Sequence, residues 1–131
     1  MNTYIFMFIV TLITPITMIV IGFIYKNRKH YPKINNISGY RTNRSMKNRE
    51  TWIFAHKYFG KLSLYIGIIN LIISVIIMIL IYNKSDNFIY TTGLILTIIQ
   101  VIFLIIPIIP TEKALKKNFD DLGNKKINKN K

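Results

Sequence analysis

The chain has 131 residues, no cysteine, and eighteen Lys and Arg against five Asp and Glu, a formal net charge of +13 at pH 7. Without cysteine neither a disulfide framework nor a thiolate site is available. The apolar half of the composition is gathered into three charge-free blocks, residues 2–25, 62–83 and 87–111, of 24, 22 and 25 residues, a distribution that excludes an ordinary soluble domain.

A spanning helix needs about 20 largely apolar residues, and each block suffices. A buried helix of a soluble bundle would show a charged face, and these blocks have none. The expected fold is therefore all-α: an all-α membrane protein with three transmembrane helices and short amphipathic interfacial helices. The charge is as uneven as the hydropathy. Ten basic residues lie between Lys26 and Lys61, seven follow Thr111, and the link between the second and third blocks has only Lys84, next to Asp86. The positive-inside rule predicts an N-out/C-in protein of a bacterial cell membrane, with the large loop and the C-terminus cytoplasmic. In a soluble protein the same charge would suggest nucleic acid; here it predicts contact with membrane lipids and no direct contact with nucleic acid.

The first span is expected at about residues 4–25. It lacks the basic start and short apolar region of a signal peptide, and Pro15 near its middle predicts a kink or loosened turn, with Thr11, Thr14 or Thr17 hydroxyls satisfying freed backbone. The cytoplasmic loop, residues 26–60, opens with a basic anchor at 26–30 that includes His30. A turn-rich stretch follows, then Gly39-Tyr40-Arg41-Thr42 and Asn43-Arg44-Ser45-Met46-Lys47-Asn48. From about Ser45 an amphipathic pattern begins. Trp52, Ala55, Phe59 and Leu62 share one face, Thr42 or Ser45 would cap the start, and Gly60 would bend the helix from the surface into the bilayer. Trp52 would anchor in the headgroup zone, and His56 would pair with Glu50 or face headgroups.

The second span, about residues 61–82, carries Gly60, Ser63, Gly67, Asn70 and Ser74 at steps of three and four, one helix face suited to close packing. The third, about 88–109, has Gly93, Thr97 and Gln100 on a similar face. Asn70 and Gln100 fall near mid-span, where an unpaired amide costs several kcal/mol, so they are expected to face the interior and pair with each other. Beyond Pro107 and Pro110, an interfacial helix over 112–122 with Leu115, Phe119 and Leu122 on one face would end at Gly123, leaving a disordered basic tail at 124–131.

Catalytic equipment is missing. None of the five acids lies inside a span, there is no HExxH, no Gly-rich phosphate loop and no paired carboxylates, and neither histidine has an acid that would make a triad. No metal or other cofactor is expected, and the chain reads as a non-enzyme. Without an ionisable residue in the membrane, proton-coupled transport is disfavoured, although three spans would serve as half of a dimeric pore or transporter.

One ordered set of residues is specific. Asn36, Gly39, Tyr40, Arg41, Thr42, Ser45, Met46, Lys47, Asn48, Thr51, Trp52, Ala55, Gly60 and Lys61 resemble the signature N…GYRT…SMKN…TW…A….GK of the SdpI family of bacterial integral membrane proteins. His56 departs from it, where an asparagine is common. The resemblance covers residues 5–123 and implies a single three-span domain over 1–123. It also implies immunity: members look like self-protection proteins against a membrane-active peptide toxin, and some hold a cognate transcriptional repressor at the membrane. Longer members carry further N-terminal spans. The motif itself admits two readings, a partner-binding surface built on Arg41 and Trp52, or a rigid turn that packs the loop on the helix bases within a structural scaffold.

Overall fold

The computed structural model describes residues 2–127. Its helices are α1 (Thr3–Asn27), α2 (Arg49–Leu80), α3 (Asp86–Ile105) and α4 (Ile108–Asn118). Among these residues there is no strand, only an isolated bridge between Phe119 and Lys125. α1, α2 and the stretch that α3 and α4 make together, Asp86–Asn118, are each long and apolar enough to cross a membrane. The protein is an all-α, multi-pass membrane protein.

α1 is the central helix; it packs along α2 and against α3, while α2 and α3 meet only sparsely. The α1–α2 approach is set by missing side chains. A Cβ on Gly22 would lie 2.5 Å from the Leu64 backbone nitrogen, and one on Gly60 would lie 2.7 Å from that of Lys26. Gly67 likewise faces Met18 and Ile19. Gly60 is therefore not a bend: α2 runs unbroken through it, because the absent Cβ is needed for contact with α1.

α2 also starts later than the pattern from Ser45 suggests. Asn48 caps it, its side chain accepting the Thr51 N–H while the Thr51 hydroxyl accepts the Asn48 N–H, a reciprocal capping box. Neither Thr42 nor Ser45 is the cap.

Pro15 does not interrupt α1. A proline has no N–H for the carbonyl four residues back, here that of Thr11. That carbonyl accepts a hydrogen bond from Gln100 Nε2 of α3 at 2.8 Å, so another helix does what neighbouring threonine hydroxyls were expected to do. The Thr11 and Thr17 hydroxyls bond instead to the carbonyls of Phe8 and Ile13.

The expected pairing of Asn70 with Gln100 is absent. Both are interior, 4% and 0% exposed. Gln100 Nε2 also donates to Ser74 Oγ at 2.7 Å, while Asn70 Nδ2 and Gln100 Oε1 have no partner. Ser74, one turn beyond Asn70, meets Gln100 in its place.

The third span and the following helix divide differently from expectation. α3 stops at Ile105, and α4 begins at Ile108 after a turn at Ile106 and Pro107, where Pro107 cannot supply the next helical N–H. Pro110 sits in the first turn of α4, where no N–H is required. Thr111 is not a cap; its hydroxyl donates to the Pro107 carbonyl at 2.6 Å. Leu115 and Phe119 are buried, whereas Leu122 lies past the helix end and is 79% exposed.

The tail stays tied for longer than composition suggests. Asp120 and Asn124 bond backbone to backbone, and the Lys126 N–H reaches the Asn118 carbonyl at 2.8 Å. The remainder of the expected disordered tail, 128–131, lies outside the described residues.

Candidate functional site

At the basic end of the bundle, the 28–48 loop, the first turns of α2, α4 and the 119–126 turn form one connected cap. It is built outward from Trp52 and His56. Trp52 is fully buried, and its indole N–H donates to the Pro32 carbonyl at 3.0 Å. The Arg49 guanidinium reaches the same carbonyl at 2.7 Å and that of Tyr31 at 2.6 Å. The Tyr31 hydroxyl donates to the Tyr25 carbonyl in the last turn of α1, one of the carbonyls a helix end leaves without an internal partner. Burial raises the Tyr31 phenol above its ordinary range, partly offset by the Arg28 charge. Trp52 is thus a core residue and not a headgroup anchor. The apolar face it shares with Ala55 packs on protein: Ala55 joins Tyr40, Leu115 and Phe119 in a cluster flanked by Phe54 and Phe59.

His56 is also buried, and neither pairs with Glu50 nor faces headgroups. Its Nδ1 lies 2.7 Å from the Trp52 carbonyl, and its Nε2 accepts the Tyr40 backbone N–H at 3.0 Å. Since the carbonyl needs a donor and the N–H an acceptor, the ring is the neutral Nδ1-protonated tautomer. Gly39 makes this possible. Its φ is +106°, and a Cβ there would lie 2.5 Å from His56 Nε2, so both the backbone conformation and the close approach require glycine.

The rest of the loop closes on itself. Ser45 Oγ donates to the Tyr40 carbonyl at 2.9 Å and accepts the Thr42 N–H at 2.8 Å; Thr42 Oγ1 accepts the Ser45 N–H at 3.1 Å. The Thr51 hydroxyl reaches the Ser45 carbonyl at 3.0 Å. Two long-range bonds then fasten the loop to the C-terminal part. The Tyr40 hydroxyl donates to Glu112 Oε1 at 2.6 Å, and Asn48 Nδ2 donates to the Gly123 carbonyl at 2.6 Å. Burial, followed by the hydrogen bond to Glu112 and its negative charge, raises the Tyr40 phenol far above its ordinary range. In the 119–126 turn the backbone N–H of Asn124 leads several hydrogen bonds that hold Asp120 below the usual carboxylate range.

The sequence-selected residues therefore divide in two. Tyr40, Ser45, Thr51, Trp52, His56 and Gly60 are buried, and Thr42 and Asn48 are bonded within the cap. Asn36, Arg41, Lys47 and Lys61 are exposed. Arg41 donates to the Asn36 carbonyl, which fixes its guanidinium on the loop, and Arg44 makes an exposed 3.4 Å ion pair with Asp121. Such a pair contributes little stability. Asn70 and Gln100 lie deep among the helices and belong to no part of the cap. The contributors that sequence patterns did not single out are Glu112, Gly123, Pro32 and Tyr31. Only the turn propensity of Pro32 and Gly123 marks any of them in the sequence.

Chemically the cap is a rigid surface with fixed donors. Among the described residues no three His, Asp or Glu side chains are grouped to hold a metal ion. The model of the SdpI/YfhL protein family matches residues 32–111, from the start of the cap through α3 into α4. No curated protein and no solved structure matches the chain.

Proposed function

The chain belongs to the SdpI/YfhL protein family, and on that premise we propose that it is an immunity or toxin-sensing membrane protein that acts by stoichiometric binding. In this reading it protects the cell from a membrane-active peptide toxin, and its cap holds a cytoplasmic transcriptional repressor. It sits N-out/C-in, with the cap in the cytoplasm, the side that the positive-inside rule assigns to its basic residues. One observation carries the binding reading. Arg41 and Lys47 are exposed on a loop that internal hydrogen bonds hold in one shape, so a partner meets charge that needs no ordering before contact.

A scaffold reading is favoured by a different observation, the burial of Tyr40, Ser45, Thr51 and Trp52 within the cap. In that reading the motif maintains the fold, and the surface meets lipid alone. The two separate cleanly. Cells expressing the protein are challenged with membrane-active peptides, beside cells expressing R41A/K47A. Protection that is lost in the variant at unchanged membrane abundance supports binding. Equal survival of expressing and non-expressing cells across the peptides defeats immunity and leaves the scaffold reading.

A further inference from the structure

The sparse contact between α2 and α3 leaves a crevice between them of about 410 Å³, lined by Ile66, Ile69, Asn70 and Ile73 on one side and Phe103 and Ile106 on the other. Its lining is hydrocarbon apart from the Asn70 carboxamide. That side chain is 4% exposed, and its Nδ2 has no hydrogen-bond partner. The hydroxyl one turn away is already engaged, since Ser74 Oγ donates to the Asn70 backbone carbonyl at 2.7 Å and accepts from Gln100.

An amide left unpaired in hydrocarbon costs several kcal/mol. A lipid tail would fill the crevice without supplying a hydrogen bond. The occupant must bring a polar group to the depth of Asn70 in the bilayer. A second copy inserted with the same orientation does so, because its own Asn70 lies at that depth. A carboxamide is both donor and acceptor, so a two-fold axis along the membrane normal lets the two side chains exchange N–H···O=C bonds, the self-complementary arrangement of an isologous interface. Ile69 and Ile73, exposed on the same face of α2, supply apolar contact around the axis.

We propose that a second copy of this chain docks at the α2–α3 crevice, with the two Asn70 carboxamides paired at its centre. The dimer is independent of whether the cap binds a toxin or a repressor.

The absence of cysteine makes the test direct. Single-cysteine chains I73C, beside Asn70, and I13C, on the exposed face of α1, are oxidised in native membranes. The expected result is a disulfide-linked dimer from I73C and none from I13C. Adding N70L to I73C lowers the cross-linked fraction about tenfold, whereas N70Q largely retains it. As a check that leaves the interior untouched, I69W obstructs the mouth of the crevice and must reduce energy transfer between differently labelled copies in detergent. Equal cross-linking at both positions overturns the proposal. So does cross-linking that N70L does not change, or energy transfer that I69W leaves intact.

Discussion

Gln100 Nε2 donates to the carbonyl of Thr11 at 2.8 Å, the carbonyl that Pro15 deprives of its helical N–H. The proline thereby converts an internal bond of α1 into a bond between α1 and α3. A residue that would be a defect in an isolated helix becomes the place where two helices are joined.

Replacing Gln100 by leucine is expected to cost about 1–3 kcal/mol, the usual penalty for stranding a buried acceptor. P15A restores a helical N–H aimed at the same carbonyl, so P15A/Q100L should be more stable than Q100L alone. A double-mutant cycle of unfolding in detergent measures the coupling. Additivity of the two substitutions would mean that the Thr11 carbonyl is not what they share.

Gly39 and His56 should fail in different ways. G39A forces a side chain onto a left-handed backbone and against the imidazole, so it is expected to lose about 2 kcal/mol or more. H56A leaves the Tyr40 N–H without an acceptor and opens a cavity. The milder H56N can retain one hydrogen bond and should cost about half as much as H56A. Thermal denaturation of the three variants in one detergent gives the ranking.

Alkaline pH should expose Tyr40. Its phenol ionises above the ordinary tyrosine range in the folded protein and near pH 10 in the unfolded chain. Up to about pH 10 both states keep the proton and stability is unaffected; above it only the unfolded chain sheds the proton, so stability falls as pH rises. In ultraviolet titration of the folded protein one of the eight tyrosines should ionise late, together with the smaller delay of Tyr31, and Y40F should remove the late step.

Asn48 uses both ends of its carboxamide, and substitutions can take them apart. N48A should cost about 1–2 kcal/mol through loss of the α2 cap. N48D keeps the capping oxygen and loses only the donor to Gly123, so it should spare α2 while making the 119–126 turn susceptible to protease. Limited proteolysis with mass mapping distinguishes the two variants. Equal cleavage of wild type and N48D would show that the bond does not retain the turn.

The spans were legible because an apolar solvent demands uninterrupted apolar length, a property local to each block. The start of α2 was also written locally, in the Asn48 and Thr51 spacing, but the apolar face of Trp52 and Ala55 drew the reading toward lipid. Periodicity reports that a face is apolar and not what covers it; here α4 and the loop do. Gly60 looked like a bend because a glycine at a boundary between polar and apolar sequence resembles a hinge. Its reason is Lys26 on another helix, which no local pattern encodes. Tyr40 with Glu112 and Asn48 with Gly123 are 72 and 75 residues apart, so these bonds exist only once the bundle has assembled. For the candidate site, the motif marked which residues matter without separating the buried members from the exposed Arg41 and Lys47.

The Asn48 bond to Gly123 also bears on kinetics. The exposed face of the loop cannot shift without disturbing the first turn of α2 or the chain's C-terminal turn, so the surface offered before an encounter is the one offered after it. A soluble ligand of that face should associate in a single phase whose observed rate rises linearly with concentration and shows no plateau, since no slow isomerisation stands between collision and complex.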